Sequence, residues 1–249
     1  MTELNGAQVL VVGATGGLGS AIARQLVRAG ATLTISGRRG DTLQALADEL
    51  GDAVHRNVAA DLTLPGSPRQ IIEGATADGR TLDGVVYAAG VVAFGPLSEL
   101  DDDILDELLL ANFVAPVRLA QAVLPSLRKG AFVVNLSAIV AESPTAGMAA
   151  YSATKAALTA FDTAIRVELR RSGIRVVDAR PPHTETGLAG RPISGTAPRL
   201  PAGLAPDAVA ERIVRAILDD ERDLGPGAFA TARDRGADEE GTRAAGLKQ

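Results

Sequence analysis

Tyr151 and Lys155 stand four residues apart in the sequence, and on a helix that spacing puts both on one face. An unperturbed tyrosine ionises near pH ~10, too high for acid–base work at neutral pH, but a cation held beside it favours the phenolate. A phenol tuned this way can pass a proton to or from a substrate oxygen while a hydride moves to or from a nicotinamide. A second candidate lies near the start of the chain. The apolar run Val9-Leu10-Val11-Val12 leads into Gly13-Ala14-Thr15-Gly16-Gly17-Leu18-Gly19, and a helical pattern then continues through Ile22, Leu26 and Ala29 to Gly30. This predicts a buried strand ending at Val12, a tight turn and a helix beginning near Gly17. A turn built from Gly13, Gly16, Gly17 and Gly19 has no side chains in the way. An anion could reach the N–H groups at the helix start, where the dipole adds positive charge. Parallel α/β sheets hold the pyrophosphate of a dinucleotide in this manner. Each signal has a plainer reading by itself: a surface pair on an amphipathic helix, and a glycine turn that serves packing.

The elements that would position these groups follow in alternation. Ala31 to Ser36 reads as a second strand, ending in Gly37-Arg38-Arg39. Asp41-Thr42-Leu43-Gln44 reads as a capping box opening a helix that Gly51 ends. Val54 to Ala60 is a third strand, Pro68 to Ala75 a short helix, and Leu82 to Ala89 a fourth strand. A long helical region spans 98–127, with Pro116 predicting a kink just after Asn112. Its Asp101-Asp102-Asp103 cluster reads as a solvated helix start, since carboxylates there complement the dipole, and not as a metal site. Ala131 to Ser137 is the fifth strand, Tyr151 to Arg171 a second long helix, and Ile174 to Ala179 the sixth strand. The Gly- and Pro-rich stretch 187–205 reads as a mobile loop, and 207–218 as the last helix. From Ala232 the chain is polar, which predicts a loose tail over 232–249. Strands with little polar alternation indicate a sheet covered on both faces. The expectation is one doubly wound parallel α/β domain of Rossmann type over residues 1–231.

Composition removes several function classes. Cysteine is absent, so neither disulfides nor thiolate chemistry are available, which suits a reducing cytoplasm. A formal charge of −5 leaves no electrostatic footprint for nucleic acid. No uninterrupted apolar run reaches the ~18–20 residues of a membrane span, and Met1-Thr2-Glu3-Leu4-Asn5 lacks the basic start of a signal peptide. His55 and His183 are too few and too isolated to hold a metal, and no Ser-His-Asp spacing suggests hydrolysis.

Taken together, the motifs resemble those of the short-chain dehydrogenases/reductases, over most of residues 6 to 220. Gly13-x-x-x-Gly17-x-Gly19 matches that family's cofactor turn, with Val12 where a Thr is usual. Tyr151-Ser152-Ala153-Thr154-Lys155 matches the catalytic pair, and Glu168 and Gly173-Ile174-Arg175-Val176 also fit. The resemblance implies that Asn112 contributes its backbone carbonyl to a water-mediated proton relay, and that Asp61 contacts adenine. It aligns Tyr87-Ala88-Ala89-Gly90 with an Asn-Asn-Ala-Gly motif of which only Ala89 and Gly90 remain. Pro181-Pro182-His183-Thr184-Glu185-Thr186 resembles Pro-Gly-x-x-x-Thr, with Thr186 implied to face the carboxamide. The expected catalytic set is thus Tyr151, Lys155 and Asn112. The expected cofactor set is Gly13, Thr15, Gly16, Gly17, Leu18, Gly19, Arg38, Asp61, Leu62, Ala89, Gly90, Tyr151, Lys155 and Thr186. The resemblance also implies homodimers or homotetramers, packed through helices 98–127 and 151–171.

One departure bears on activity. The family's catalytic Ser, thirteen residues before the Tyr, is Ala138 here. Ser137 is adjacent, but on an extended strand it should face away from the site. Losing one such donor typically costs ~10²–10³ in rate. A bulge at Ser137, or Ser143, Thr145 or His183, could supply a replacement; otherwise the chain binds a dinucleotide in a regulatory or scaffold role. The end of the second strand bears on cofactor choice. A carboxylate there would bind the ribose hydroxyls and repel a 2′-phosphate, whereas Gly37-Arg38-Arg39 offers guanidinium groups. NADP(H) is therefore expected over NAD(H). The sequence predicts a cytoplasmic NADP(H)-dependent oxidoreductase interconverting a carbonyl and an alcohol on a small-molecule substrate, with 187–205 over the substrate pocket, and with no metal, nucleic-acid or membrane partner.

Overall fold

The computed structural model describes residues 1–230. The expected domain end at 231 and the tail 232–249 lie outside the described residues. Seven parallel strands form one sheet: β1 (Gln8–Val12), β2 (Thr32–Gly37), β3 (Val54–Ala59), β4 (Leu82–Tyr87), β5 (Leu127–Leu136), β6 (Arg175–Ala179) and β7 (Asp223–Leu224). Their spatial order is β3-β2-β1-β4-β5-β6-β7. The chain works outward from β1 in one direction and then returns to β4 on its other side. This reversal opens a crevice at the carboxyl ends of β1 and β4, where doubly wound sheets bind ligands.

Helices α1 (Gly17–Arg28), α2 (Gly40–Leu50) and α7 (Pro206–Leu218) cover one face; α3 (Ser67–Thr76) and α5 (Ala115–Val123) cover the other. The period of two along each strand sorts the core. Val9 and Val11 pack with Ile22, Leu26 and Ile213 on one side, while Leu10 and Val12 pack with Ile71 and Leu119 on the other. On that second side α4 (Asp102–Leu109) runs without a break into α5, and α6 (Ala149–Glu168) lies over β5 and β6.

The break expected near Asn112 is a π turn, Leu110–Val114, inserted between α4 and α5. Pro116 has no N–H to donate back to the Asn112 carbonyl, so the α-helical ladder cannot continue through this point. The buried Tyr87 hydroxyl donates to the Ala111 carbonyl in the same turn (2.8 Å).

Several local expectations need correction. Helix α2 starts at Gly40 without a side-chain N-cap. Asp41 accepts from the neighbouring Thr42 N–H (2.7 Å), and no capping box forms. Strand β5 starts at Leu127, before the expected Ala131, because its exposed Arg128-Lys129-Gly130 opening hides the strand pattern. Strand β7 is two residues long, too short to carry periodicity. The stretch Asp102–Ser126 is long and apolar enough to cross a membrane by length and composition. It is not one continuous apolar run, because Asn112, Pro116 and Arg118 interrupt it. In the fold, its Leu108, Leu119 and Val123 side chains pack inward.

Loop 187–205 is joined to the rest of the chain by main-chain pairing at two places. Ser194 pairs with Ala93 in a short parallel bridge, with Phe94 N–H donating to Ser194 O (3.0 Å) and Ile193 N–H to Val92 O (2.9 Å). Leu204 pairs with Thr184 in a second bridge.

Beyond α7, β7 leads into a 3₁₀ turn, Pro226–Phe229, whose Phe229 is buried in the core beside α7. Phe229→Ala should lower unfolding free energy by about 3–5 kcal/mol, as expected for truncating a buried aromatic. Urea denaturation of the two proteins measures the difference.

Candidate active site

The crevice at the β1/β4 reversal is a cavity of about 930 Å³, at the upper end of the range for small-molecule sites. Bare backbone shapes its floor. Gly13 adopts φ +77°, and a Cβ there would lie 2.5 Å from the Ala89 nitrogen. A Cβ on Gly17 would lie 2.7 Å from the Thr186 carbonyl oxygen. The turn between β1 and α1 can thus approach the end of β4 and the loop after β6 only as glycine, and its Gly16, Gly17 and Leu18 line the cavity.

Most of the expected cofactor residues line this cavity: Gly13, Thr15, Gly16, Gly17, Leu18, Arg38, Asp61, Leu62, Ala89, Gly90, Tyr151, Lys155 and Thr186. Two of the expected residues stand behind its wall. Gly19 is buried under the turn, where a Cβ would collide with the Gly13 carbonyl. Asn112 is fully buried: its Oδ1 accepts from Val91 N–H, and its Nδ2 donates to Val91 O and to Thr154 Oγ1 (3.0, 3.0 and 3.2 Å). Its side chain therefore ties the segment after β4 to α6, while its carbonyl has lost its helical partner at Pro116.

At the carboxyl end of β2, Gly37 stands close against Thr15, whose Oγ1 would lie 3.1 Å from an added Cβ. Arg38 and Arg39 line the same end. The Asp61 carboxylate accepts from Thr63 Oγ1 and Thr63 N–H (2.7 and 2.9 Å), which hold it below the usual carboxylate range. This bare pocket end, flanked by guanidinium groups, fits a phosphorylated ribose, and the glycine turn fits a diphosphate.

Tyr151 and Lys155 lie on one face of α6, with the ammonium 5.9 Å from the phenol ring centre. Tyr151 belongs to an apolar cluster with Val92, Phe94, Leu108 and Val140. Burial pushes its hydroxyl up to about 12. Lys155 Nζ donates to the Leu136 carbonyl (2.8 Å). Burial brings Lys155 down to about 8, opposed by the charge of Asp178.

Ser137 and Ala138 both line the cavity, against the expectation that Ser137 faces away from it, and the Ser137 hydroxyl accepts from Thr159 Oγ1 on α6 (3.1 Å), one helical turn beyond Lys155. Of the other possible donors, Thr145 and His183 line the cavity and Ser143 does not. His183 Nε2 lies 3.4 Å from Glu185 Oε1, and His55 pairs with Asp78 at the surface. Among the described residues, no group of three or more His, Asp or Glu could hold a metal.

Sequence reasoning missed Arg191 and Glu107, both on the cavity wall. Arg191 donates to the Gly187 and Thr186 carbonyls (3.1 and 3.4 Å), beside the Gly17 turn. Nothing in its local sequence distinguishes it from other loop arginines.

A sequence profile described as short chain dehydrogenase matches residues 7–194. A serine 3-dehydrogenase of Agrobacterium fabrum is 34% identical over 182 residues, covering 72% of this chain and 72% of that protein. A short chain dehydrogenase of Pseudocercospora fijiensis is 31% identical over 194 residues, covering 75% of this chain but 62% of its own length. Among solved structures, a short chain dehydrogenase from Burkholderia cenocepacia in complex with NADP superposes with a TM-score of 0.80 at 26% identity, covering 92% of this chain and 100% of that one.

Asn112→Leu should destabilise the fold by at least about 1–3 kcal/mol, because Val91 N–H and C=O and the Thr154 hydroxyl lose their partner. Thermal denaturation should show the drop whether or not a dinucleotide is present.

Proposed function

The chain belongs to the short-chain dehydrogenase family, and we propose that it is an NADP(H)-dependent oxidoreductase interconverting a carbonyl and an alcohol. One observation carries this reading: a phenol and an ammonium share a helix face at the wall of the same crevice that the glycine turn opens. A bound nicotinamide would supply or accept the hydride. The protein's own part is to hold the substrate oxygen against Tyr151 and to move one proton. A phenol is protonated at neutral pH, and burial pushes its ionisation further from that range, so in carbonyl reduction Tyr151 donates its proton to the substrate oxygen. Lys155 anchors the end of β5 through the Leu136 carbonyl and places a positive charge beside the phenol. The Asn112 carbonyl, released by Pro116, is the acceptor for a water that returns the proton from solvent. The substrate side of the cavity is apolar, with Val92, Phe94, Ile139, Val140 and Met148 on its walls, which favours a largely hydrocarbon carbonyl compound.

Support for NADP(H) comes from the pocket end at Gly37, Arg38 and Arg39 and from the NADP complex of the Burkholderia cenocepacia relative. Loop 187–205 is the substrate-side cover. The outer faces of the 102–126 helical stretch and α6, with half-buried Phe113 and Phe161 in edge contact (6.5 Å) and exposed Val167, are the surfaces for a homodimer or homotetramer. A cytoplasmic location belongs to this same reading.

Ala138 favours one alternative, a dinucleotide-binding regulatory or scaffold protein with little turnover. NADPH oxidation against a panel of aldehydes and ketones separates the two. An enzyme should lose about 10²–10⁴ in rate with Tyr151→Phe. A binding protein should be silent on every carbonyl while still binding NADPH, and Ala138→Ser should then awaken it. Arg38→Ala should weaken NADPH binding about tenfold and leave NADH binding within twofold, measured by nucleotide fluorescence titration. Equal losses for both would remove the 2′-phosphate assignment.

A further inference from the structure

Below the crevice, α6 covers a second set of ionisable groups that the proton path above does not use. Asp162 lies seven residues beyond Lys155, two helical turns along the same face. Its carboxyl group is completely buried, and its Oδ1 accepts from Asn135 Nδ2 at 2.5 Å. Asn135 on β5 stands directly opposite Asp178 on β6 in the strand register. Paired residues of adjacent strands project to the same sheet face, so Asn135 and Asp178 lie side by side beneath Asp162. Asp178 is also fully buried, and its Oδ2 pairs with Arg180 Nη1.

Two carboxylate oxygens are left over. Asp162 Oδ2 and Asp178 Oδ1 are both sealed from solvent, and neither has a hydrogen-bond partner. Such groups are costly unless satisfied. No cation reaches either leftover oxygen. Arg180 donates to the other oxygen of Asp178, to Glu142 and to Asp223 on β7. Arg166, one turn along α6, donates Nη2 to the Arg222 carbonyl (2.7 Å); its Nε is buried without a partner, and it is in hydrogen-bond contact with neither aspartate. Lys155 donates to Leu136 O.

We infer that Asp162 and Asp178 share one proton, carried on Asp162 Oδ2 and donated to Asp178 Oδ1, so that the pair holds a single negative charge beneath Lys155. One hydrogen satisfies both orphaned oxygens, and like charges so close cannot both ionise cheaply. The arrangement agrees with the electrostatics. Burial and the neighbouring Asp178 push Asp162 up to about 8, against the opposing pull of Asn135, Arg166 and Arg180. Asp178 in turn favours the ammonium form of Lys155. If the reading of Lys155 as part of the reaction holds, Asp178 is a positioning residue that keeps that ammonium charged inside the protein; the shared proton itself does not depend on that reading.

The sign of the pH effect follows from linkage. A carboxyl whose folded pKa lies above its unfolded value binds an extra proton in the folded state between about pH 4 and pH 8. Stability from this group is therefore fully present below about pH 4 and is lost as pH rises toward 8. Infrared spectra of the full chain over pH 5–9 should contain a protonated-carboxyl C=O band that shifts in D₂O, persists at pH 7 and is missing in Asp162→Asn. In urea, the folding constant of the unsubstituted chain relative to Asp162→Asn should fall by roughly tenfold per pH unit across that window. Asp162→Asn should fold, because its carboxamide can still donate to Asp178 Oδ1. Should it not fold, the infrared titration of the unsubstituted chain decides alone. No protonated-carboxyl band at pH 7, or identical pH dependence for the two proteins, overturns the inference. Loss of carbonyl reduction with the band intact would count only against the oxidoreductase reading.

Discussion

The architecture of the crevice depends on how closely separate segments of main chain approach the turn between β1 and α1. The end of β4 reaches Gly13 through Ala89, and the chain after β6 reaches Gly17 through Thr186. Neither contact leaves room for a methyl group. These two contacts seat the turn against the end of β4 on one side and the loop after β6 on the other, beneath the wall that carries Tyr151 and Lys155. A single Cβ at Gly13 would press on the main chain after β4, and one at Gly17 on the main chain at Thr186. The side chains that carry chemistry are thus positioned by atoms that carry none.

Much of this was legible in the residues. The alternation of apolar strands with helical patterns predicted a doubly wound sheet, and the glycine cluster and the Tyr-x-x-x-Lys spacing marked the two sides of one cleft. What the sequence hid has physical reasons. Strand β7 gains its place from pairing with Asp178 and Ala179, which two residues cannot announce. Loop 187–205 has the composition of a mobile segment, and its main-chain pairing with Val92, Phe94 and Thr184 could not be read beforehand, because backbone pairing leaves no mark in side-chain type. The burial of Tyr151 and the turn of Lys155 toward Leu136 are likewise tertiary facts. Spacing could place the two on one face but could not say what else the ammonium would meet.

The departures from the family pattern are accommodated by local compensation. Tyr87, standing where a smaller amide is usual, finds a partner in the Ala111 carbonyl. Ala138 removes a hydroxyl from the wall, and the segment following it is instead tethered by Glu142 to Arg180. That guanidinium also grips Asp178 and Asp223, so the wall opposite Tyr151, the sixth strand and the seventh share one anchoring group.

The π turn at Leu110–Val114 has a consequence for how this sequence can vary. A π turn amounts to one residue wound into an otherwise regular helix. The wide turn takes up that extra residue locally, so the helix after it keeps the phase of the helix before it, and Leu108, Leu119 and Val123 all reach the core. A regular α-helix drawn through the same residues would turn everything downstream by about 100° and swing Leu119 and Val123 off the sheet. Pro116 bars that regular helix, so a single imino acid guards the phase of the chain from 115 to 123, and most outward-facing substitutions there leave it untouched.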